Sequence, residues 1–184
     1  IKKREIDTRC RICHQSEENI FHLVCSCPIL AHSLYLSDRH NQVARIIFQE
    51  ITGNEKLEYN PPPVTKVQNK KIWWDQPVKT VNKVQHNKPN LVIGNEETKI
   101  CKVVEVSVPL DTNIGQVEIT KKAKYIPLVA QLQQMYRAYK FEIITIIIGA
   151  LGSVSEKLPA NLKLLEIDKE RIGTLIERIQ KAAL

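Results

Sequence analysis

Near the start of the chain, four residues have the types and spacing that grip a metal ion. Cys10-x2-Cys13 is followed, after eight residues, by His22-x4-Cys27. Three thiolates and one imidazole form a tetrahedral donor set of the kind structural zinc takes. The tight turn of a Cys-x2-Cys pair lets two thiolates hold one ion, and the second pair then closes a loop. The segment around it has too few apolar residues to bury a core, so zinc supplies the stability it lacks. His14, beside Cys13, and Cys25, two residues before Cys27, compete for ligand places, and Cys25 is the stronger competitor. Four protein ligands leave no open position, so such a zinc is structural and not catalytic.

A second constellation is spread along the chain. Lys88-Pro89-Asn90 heads one expected strand, Glu105 lies inside the next, and Glu118, Lys121, Lys124 and Tyr125 follow on an expected helix. Lys121, Lys124 and Tyr125 fall within one turn of one another, and Glu118 to Lys121 is an i,i+3 pair. Acids on adjacent strands can hold a divalent cation that polarises a phosphodiester, with a lysine steadying the developing charge. Glu105 sits among Val103, Val104, Val106 and Val108, where burying a carboxylate is costly without a cation or partner. Because it alternates with Val104 and Val106, an outward-facing acid on a half-exposed strand is the competing reading. Between Val64 and Asn90 there are six lysines (Lys66, Lys70, Lys71, Lys79, Lys83, Lys88) against the single acid Asp75. Phosphate contact and a solvated strand edge explain that run about equally well. The interleaved Trp73 and Trp74 are expected in the core rather than as stacking platforms for bases.

The elements that must position these residues follow from periodicity. A helix capped by Ser37 or Asp38 carries Val43, Ile46, Ile47 and Ile51 and ends at Gly53, and a linker through Pro61, Pro62 and Pro63 follows. Short strands are expected over Ile72–Trp74, Val78–Val84, Leu91–Ile93 and Lys99–Val108, with Gly94-Asn95-Glu96 as a hairpin turn. A long helix then places Ile119, Ala123, Ile126, Val129, Leu132 and Met135 on one stripe, with a break near Pro127. Ile143–Ile148 reads as a buried strand, and Asp168 caps a last helix over Lys169–Ala182. The class is α/β or α+β, a mixed sheet flanked by helices, with no internal repeat.

Composition narrows the function. The chain has 184 residues, 27 Lys and Arg against 20 Asp and Glu, a net charge of +7 and 43% hydrophobic residues. It carries enough apolar material for one domain with a small appendage. The run Phe141 to Leu151 includes Glu142 and falls far short of the roughly 20 residues needed to cross a bilayer, so no membrane partner is expected. The chain starts at Ile1 and its one methionine is Met135, so it reads as a piece of a longer polypeptide. No secretory leader is visible, and the cysteines are expected as thiols or ligands in a reducing compartment rather than as disulfides.

Taken in order, the short motifs resemble the C-terminal region of non-LTR (LINE-type) retrotransposon polyproteins. They are Cys10-Arg11-Ile12-Cys13 with His22 and Cys27-Pro28, Arg39-His40-Asn41-Gln42-Val43-Ala44-Arg45, Trp74-Asp75, Lys88-Pro89-Asn90, Val108-Pro109-Leu110-Asp111, Lys121 with Lys124-Tyr125, and Ile148-Gly149-Ala150-Leu151-Gly152. The resemblance implies a CCHC zinc knuckle over 1–30, a helix and Pro-rich linker over 31–63, and a restriction-like endonuclease domain of the PD-(D/E)XK type over 64–184. It implies nicking of target DNA with Mg2+ or Mn2+ to prime reverse transcription. The expected metal-site and catalytic positions are Asn90, Glu105 and Lys121, with Lys124 and Tyr125 as the accompanying Lys-Tyr pair. Glu105 is the implied divalent-metal ligand, and Glu50 is a weaker candidate for an extra acid. Where the family has Pro-Asp this chain has Pro89-Asn90, which keeps an oxygen but removes a charge that hard cations need. An impaired nuclease, or a module that binds nucleic acid without cutting, is therefore expected. Arg39, His40, Asn41, Lys70, Lys71 and Lys88 are the candidate nucleic-acid contacts. The implied partners are target DNA, element RNA as a second candidate, and an upstream reverse transcriptase domain in the same polypeptide. The implied place of action is the nucleus after cytoplasmic synthesis, without secretion.

Overall fold

The computed structural model describes residues 7–31, 35, 39–54 and 60–184. After a π-helical turn over His22–Ser26, helix α1 is a single turn, Pro28–Leu30, and α2 spans Asn41–Thr52. Apolar residues at helical spacing decide which way α2 faces: Val43, Ala44, Ile47 and Phe48 are all buried. Gly53 ends it at φ 66°, a left-handed conformation that glycine adopts without a Cβ penalty. The expected caps Ser37 and Asp38 lie outside the described residues, and His40 stands at the N-cap position without a side-chain cap bond.

Five strands form one mixed sheet in the order β1-β2-β3-β4-β5. They are β1 (Val64–Val67), β2 (Lys70–Trp74), β3 (Leu91–Asn95), β4 (Ile100–Ser107) and β5 (Lys140–Ile147). The first four make an antiparallel meander, and β5 joins β4 in parallel. A parallel neighbour requires a crossover, and α3 (Ile114–Lys124) with α4 (Ile126–Met135) provides it. Helices α5 (Leu158–Leu164) and α6 (Lys169–Ala183) complete the chain. Among the described residues no helix is long and apolar enough to cross a membrane.

Side chains alternate between the two faces of the sheet. Ile72, Leu91, Ile93, Val104, Val106, Ile144 and Ile146 form the larger core with α2, α5 and α6, while Val103 meets Tyr125, Leu128 and Leu132 on the other side. The fold is thus α+β, with helices on both faces of the sheet.

Four sequence expectations need correction. Val78–Val84 is not a strand: Asp75 leaves β2 at φ 48°, Pro77 has no N–H to pair, and Val81 is 79% exposed. The segment between β2 and β3 is an irregular loop, with Val78 and Val84 folded back against the smaller core. The short strand β1, absent from the periodicity reading, pairs with β2 across a turn at Gln68, which has φ 51°. The β3–β4 turn lies beyond Asn95, whose carboxamide accepts the N–H groups of Glu97 and Thr98. The fourth correction concerns the crossover helices. The first part of the expected stripe, Ile119, Ala123 and Ile126, faces solvent, with Ile119 and Ile126 at 64% and 58% exposure, while Val129 and Leu132 pack inward as expected. The buried stripe runs through Glu118, Tyr125, Leu128 and Leu132. Polar residues face inward there because they have polar partners: Tyr125 meets Glu105 on β4, and Glu118 meets Lys157 and Ser155.

Two of the motifs that carry the resemblance, Val108-Pro109-Leu110-Asp111 and Ile148-Gly149-Ala150-Leu151-Gly152, form one fastening. The Asp111 carboxylate accepts the N–H groups of Leu151 (2.7 Å) and Ser153 (2.8 Å), and the Ala150 N–H bonds the Pro109 carbonyl (2.8 Å). A Cβ at Gly149 would come 2.4 Å from that carboxylate, so only glycine fits beside it.

Candidate functional site

The head and the body of the molecule each carry one site. Cys10, Cys13, His22 and Cys27 are all buried, and their ligand atoms lie within 4.8 Å of one another. This cluster could hold a metal ion, and its three sulfurs and one nitrogen are the donors of structural zinc. Cys13 Sγ is 3.3 Å from His22 Nε2, which identifies the nitrogen facing the cluster. Outer contacts hold the ligand-bearing turns: the Ile12 N–H approaches Cys10 Sγ (3.4 Å), and the Asn19 side-chain oxygen accepts the backbone N–H of His22 (2.9 Å). Cys13 is held below the usual thiol range, chiefly by the N–H of Gln15. The competition for the fourth place resolves for Cys27, since Cys25 and His14 stand outside the cluster.

The head is docked onto the body by polar contacts. The Tyr35 hydroxyl donates to the Leu23 carbonyl (2.7 Å) and lies 3.2 Å from the Cys27 N–H. Arg39 is buried, and its guanidinium bonds the Val24 carbonyl and lies over the Tyr35 ring. The structure therefore gives Arg39 a docking role inside the molecule, not a place on an open surface.

The second site is a cleft of about 420 Å³ at the end of the sheet where β3 begins, and it gathers residues from α2, β2, β4, α3 and the β2–β3 loop. One step beyond the Leu91↔Val104 pair, Asn90 stands across from Glu105. Glu105 is 4% exposed, and its charge is fully partnered: Lys121 Nζ lies 2.8 Å and Lys124 Nζ 3.0 Å from Oε1, and the Tyr125 hydroxyl donates to Oε2 at 2.8 Å. Burial pushes this carboxyl up, but the Lys121 ammonium, Lys124 and Tyr125 outweigh burial and hold it below the usual carboxylate range. Tyr125 is shifted upward by burial and then by the Glu105 charge, so it is a neutral donor. The inward-facing acid of the sequence reading is thus correct, and the outward-facing alternative is not.

Asn90 is equally engaged. Its Oδ1 accepts the Val106 N–H (2.7 Å), and its Nδ2 lies 3.3 Å from His40 Nε2. The same His40 nitrogen is 3.2 Å from the Val106 carbonyl, and Nδ1 is 3.0 Å from Asn41 Oδ1. The start of α2 is thereby tied to the end of β4, which brings His40 and Asn41 into the lining of the cleft.

Several expected participants are elsewhere. Glu118 does not pair with Lys121; it turns to Lys157 (3.5 Å) and Ser155. Glu50 meets Arg171 (2.8 Å) and Arg178 (3.1 Å), joining α2 to α6. Lys70 pairs with Glu166 (2.6 Å), which also holds the buried Lys102. Lys71 lies over the Trp73 ring, and Lys88 reaches the cleft but pairs with Asp75 (2.7 Å). Asp75 was assigned no role from the sequence, yet it lines the cleft and its N–H bonds the Asn90 carbonyl (2.8 Å). Arg45 also lines the cleft, one turn after Asn41 on the same helix, a spacing that would have pointed to it.

As they stand, these residues do not fit a divalent cation. Glu105 spends both oxygens on two ammonium groups and a phenol, and the Asn90 oxygen is taken by a backbone N–H. Among the described residues, the Cys/His cluster is the one group with metal-ligand geometry. With Arg45, Lys88 and Lys124 against Asp75 and Glu105, the lining of the cleft is cationic on balance and suited to an anionic ligand. No protein-family model matches the sequence, and neither does any curated protein.

Proposed function

We propose that this chain is a restriction-like endonuclease domain of a non-LTR retrotransposon polyprotein, preceded by a zinc knuckle, in which the DNA-binding cleft persists and the metal site is impaired. One observation carries the reading: Glu105 of β4 is buried across from position 90, immediately before β3, with the Lys121, Lys124 and Tyr125 side chains converging on it. A charge buried that deeply is expensive, and nothing in core packing requires it at this place. The arrangement makes sense as the residue of a site in which two strand carboxylates faced one cation. With Asn90 in place, the two lysines neutralise Glu105 instead.

Lys124, Lys88 and Arg45 line the cleft, and phosphate groups of a DNA strand are the ligands their charges suit. Binding then depends on salt, and cutting is slow for want of the second carboxylate. A binding-only module is the second reading, and it is favoured by the saturation of Glu105. On either reading the zinc knuckle supports nucleic-acid binding beside the body, and action is in the nucleus alongside an upstream reverse transcriptase.

The test is plasmid nicking. Supercoiled DNA is incubated with Mg2+ or Mn2+ and the native chain, the Asn90→Asp variant, or that variant with Lys121→Ala. Nicking by Asn90→Asp that the native chain lacks, and that Lys121→Ala abolishes, is the expected outcome. Salt-sensitive DNA binding without nicking by any variant would leave the binding-only reading. No binding and no nicking would overturn both.

A further inference from the structure

A second concavity, of about 350 Å³, opens on the same face of the sheet as Glu105 but toward the other end of the strands. Trp73 of β2, Gly94 of β3 and Phe141 of β5 contribute to it, with Tyr136 and Tyr139 from the α4–β5 loop. A Cβ at Gly94 would come 3.4 Å from the Trp73 ring, so the indole rests directly on the neighbouring strand. The Phe141 ring lies 6.5 Å from that of Tyr136 and 6.4 Å from that of Tyr139. Tyr136 is 50% exposed, and the other three rings are only partly covered. Its neighbour Trp74 behaves differently: it packs edge-on against Phe48, with ring centroids 5.6 Å apart, beside the larger core. The expectation that both tryptophans belong to the core therefore holds for Trp74 alone.

Cations attend these rings. Lys71 Nζ lies 5.0 Å from the Trp73 ring and Lys99 Nζ 5.4 Å from that of Tyr139, and Lys79 also lines the groove, where Glu96 is the one acid. Aromatic faces spaced among lysines match the chemistry of an unpaired nucleic-acid strand, whose bases stack and whose phosphates carry the charge. A base stacking on Trp73 displaces the Lys71 ammonium, and that flexible side chain then reaches the adjoining phosphate. Position along the sheet supports the same occupant. Cys101, in the groove, is four residues before Glu105 on β4, a separation of about 13 Å.

We infer that this groove binds a single-stranded stretch of nucleic acid by stacking bases on Trp73 and Tyr139, next to the cleft that takes the duplex. The inference rests on the nucleic-acid reading above and extends it from phosphate contact to recognition of unpaired bases.

The experiment uses a fluorescein-labelled oligothymidylate of about twelve nucleotides, followed by fluorescence anisotropy, beside a labelled duplex of equal length. The native chain is expected to bind both. Trp73→Leu and Tyr139→Leu should each weaken the single strand by about tenfold, the loss of one stacking partner, while duplex affinity stays within twofold or so. In the Trp74→Phe protein, whose remaining indole is Trp73, the oligonucleotide should quench tryptophan emission. Circular dichroism checks that each variant is folded, and Tyr139, in a loop, serves if Trp73→Leu is not. Duplex binding with no single-strand binding would overturn the groove alone, as would oligothymidylate affinity unchanged in both variants. Binding of neither nucleic acid would overturn the groove together with the nucleic-acid reading. Quenching of Trp73 by a proline-rich peptide but not by the oligonucleotide would assign the groove to a protein partner and overturn the inference.

Discussion

The head and the cleft hold their polar groups together in opposite ways. In the head, all four ligands come from one stretch of chain between Cys10 and Cys27, and the buried groups meet one another, with Leu23 and Leu30 the hydrophobic residues packed against them among the described residues. In the cleft, Asn90, Glu105, Lys124 and His40 come from four separate stretches of the chain and are held in place by a sheet and two layers of helix. A site made by local chelation depends on its ion, whereas a site made by tertiary packing depends on the fold. Perturbations should therefore act on one and spare the other.

Removing metal should have the largest effect. Zinc binding to small Cys/His modules is worth on the order of 10 kcal/mol, which is also their folding energy. A strong chelator, or Cys27→Ser, should abolish hydrogen-exchange protection at Cys10, His14 and Glu18, while β4 and β5 keep theirs. Cys25→Ser should leave protection unchanged. Loss of protection in both regions would show that the head and body are one cooperative unit.

Next in size is removal of the cations around Glu105. Replacing Lys121 and Lys124 together by Met leaves a 4% exposed carboxylate without a countercharge, at a cost of about 3–5 kcal/mol in urea unfolding. Because both lysines are partly solvated, each single replacement should cost well under half of that. The same carboxylate predicts a pH dependence. Its folded value is depressed from 4.5, so its stabilisation is complete above about pH 4.5 and is lost as pH falls through the lower, folded value. The stability difference between the native chain and Glu105→Gln, measured by urea unfolding at a series of pH values, should shrink over that acid range and be constant above it.

Gly149→Ala should cost about 1–3 kcal/mol, because the new methyl would meet the Asp111 carboxylate at 2.4 Å. Thermal unfolding reads it, and zinc content should be unaffected. Arg178→Ala should cost less than about 1 kcal/mol, since that arginine is well exposed and Arg171 still pairs with Glu50.

The sequence revealed the two regions unequally for the same reason. Zinc-ligand spacing is a local property, so Cys10, Cys13, His22 and Cys27 could be picked out and only the rivalry with Cys25 awaited coordinates. Helix α2, β4, β5 and α6 were legible from apolar periodicity, which a solvent-facing or buried stripe imposes directly. Periodicity failed where polar residues face inward. The stripe through Ile119 and Ile126 looked like the buried one because Glu118, Lys121 and Tyr125 were not counted as interior. The Val78–Val84 segment alternates like a strand, yet Pro77 and the left-handed turn at Asp75 take it out of the sheet. Pairings such as Glu50 with Arg171, or Arg39 with Val24, join residues far apart in sequence and leave no trace in spacing.

The fastening at Asp111 bears on how the cleft keeps its shape. The chain leaves β4 just before Asp111 and leaves β5 just before Gly149, so one carboxylate ties together the two ends of the stretch that carries α3, α4 and β5, and with them Lys121, Lys124 and Tyr125. In polymer terms it closes a loop of about forty residues at its neck, where a crosslink removes the most freedom from the segment it encloses. Alignment of the two lysines with Glu105 is thus governed from the neck of that loop. A chain cut or loosened there would keep every cleft residue and still lose the cleft.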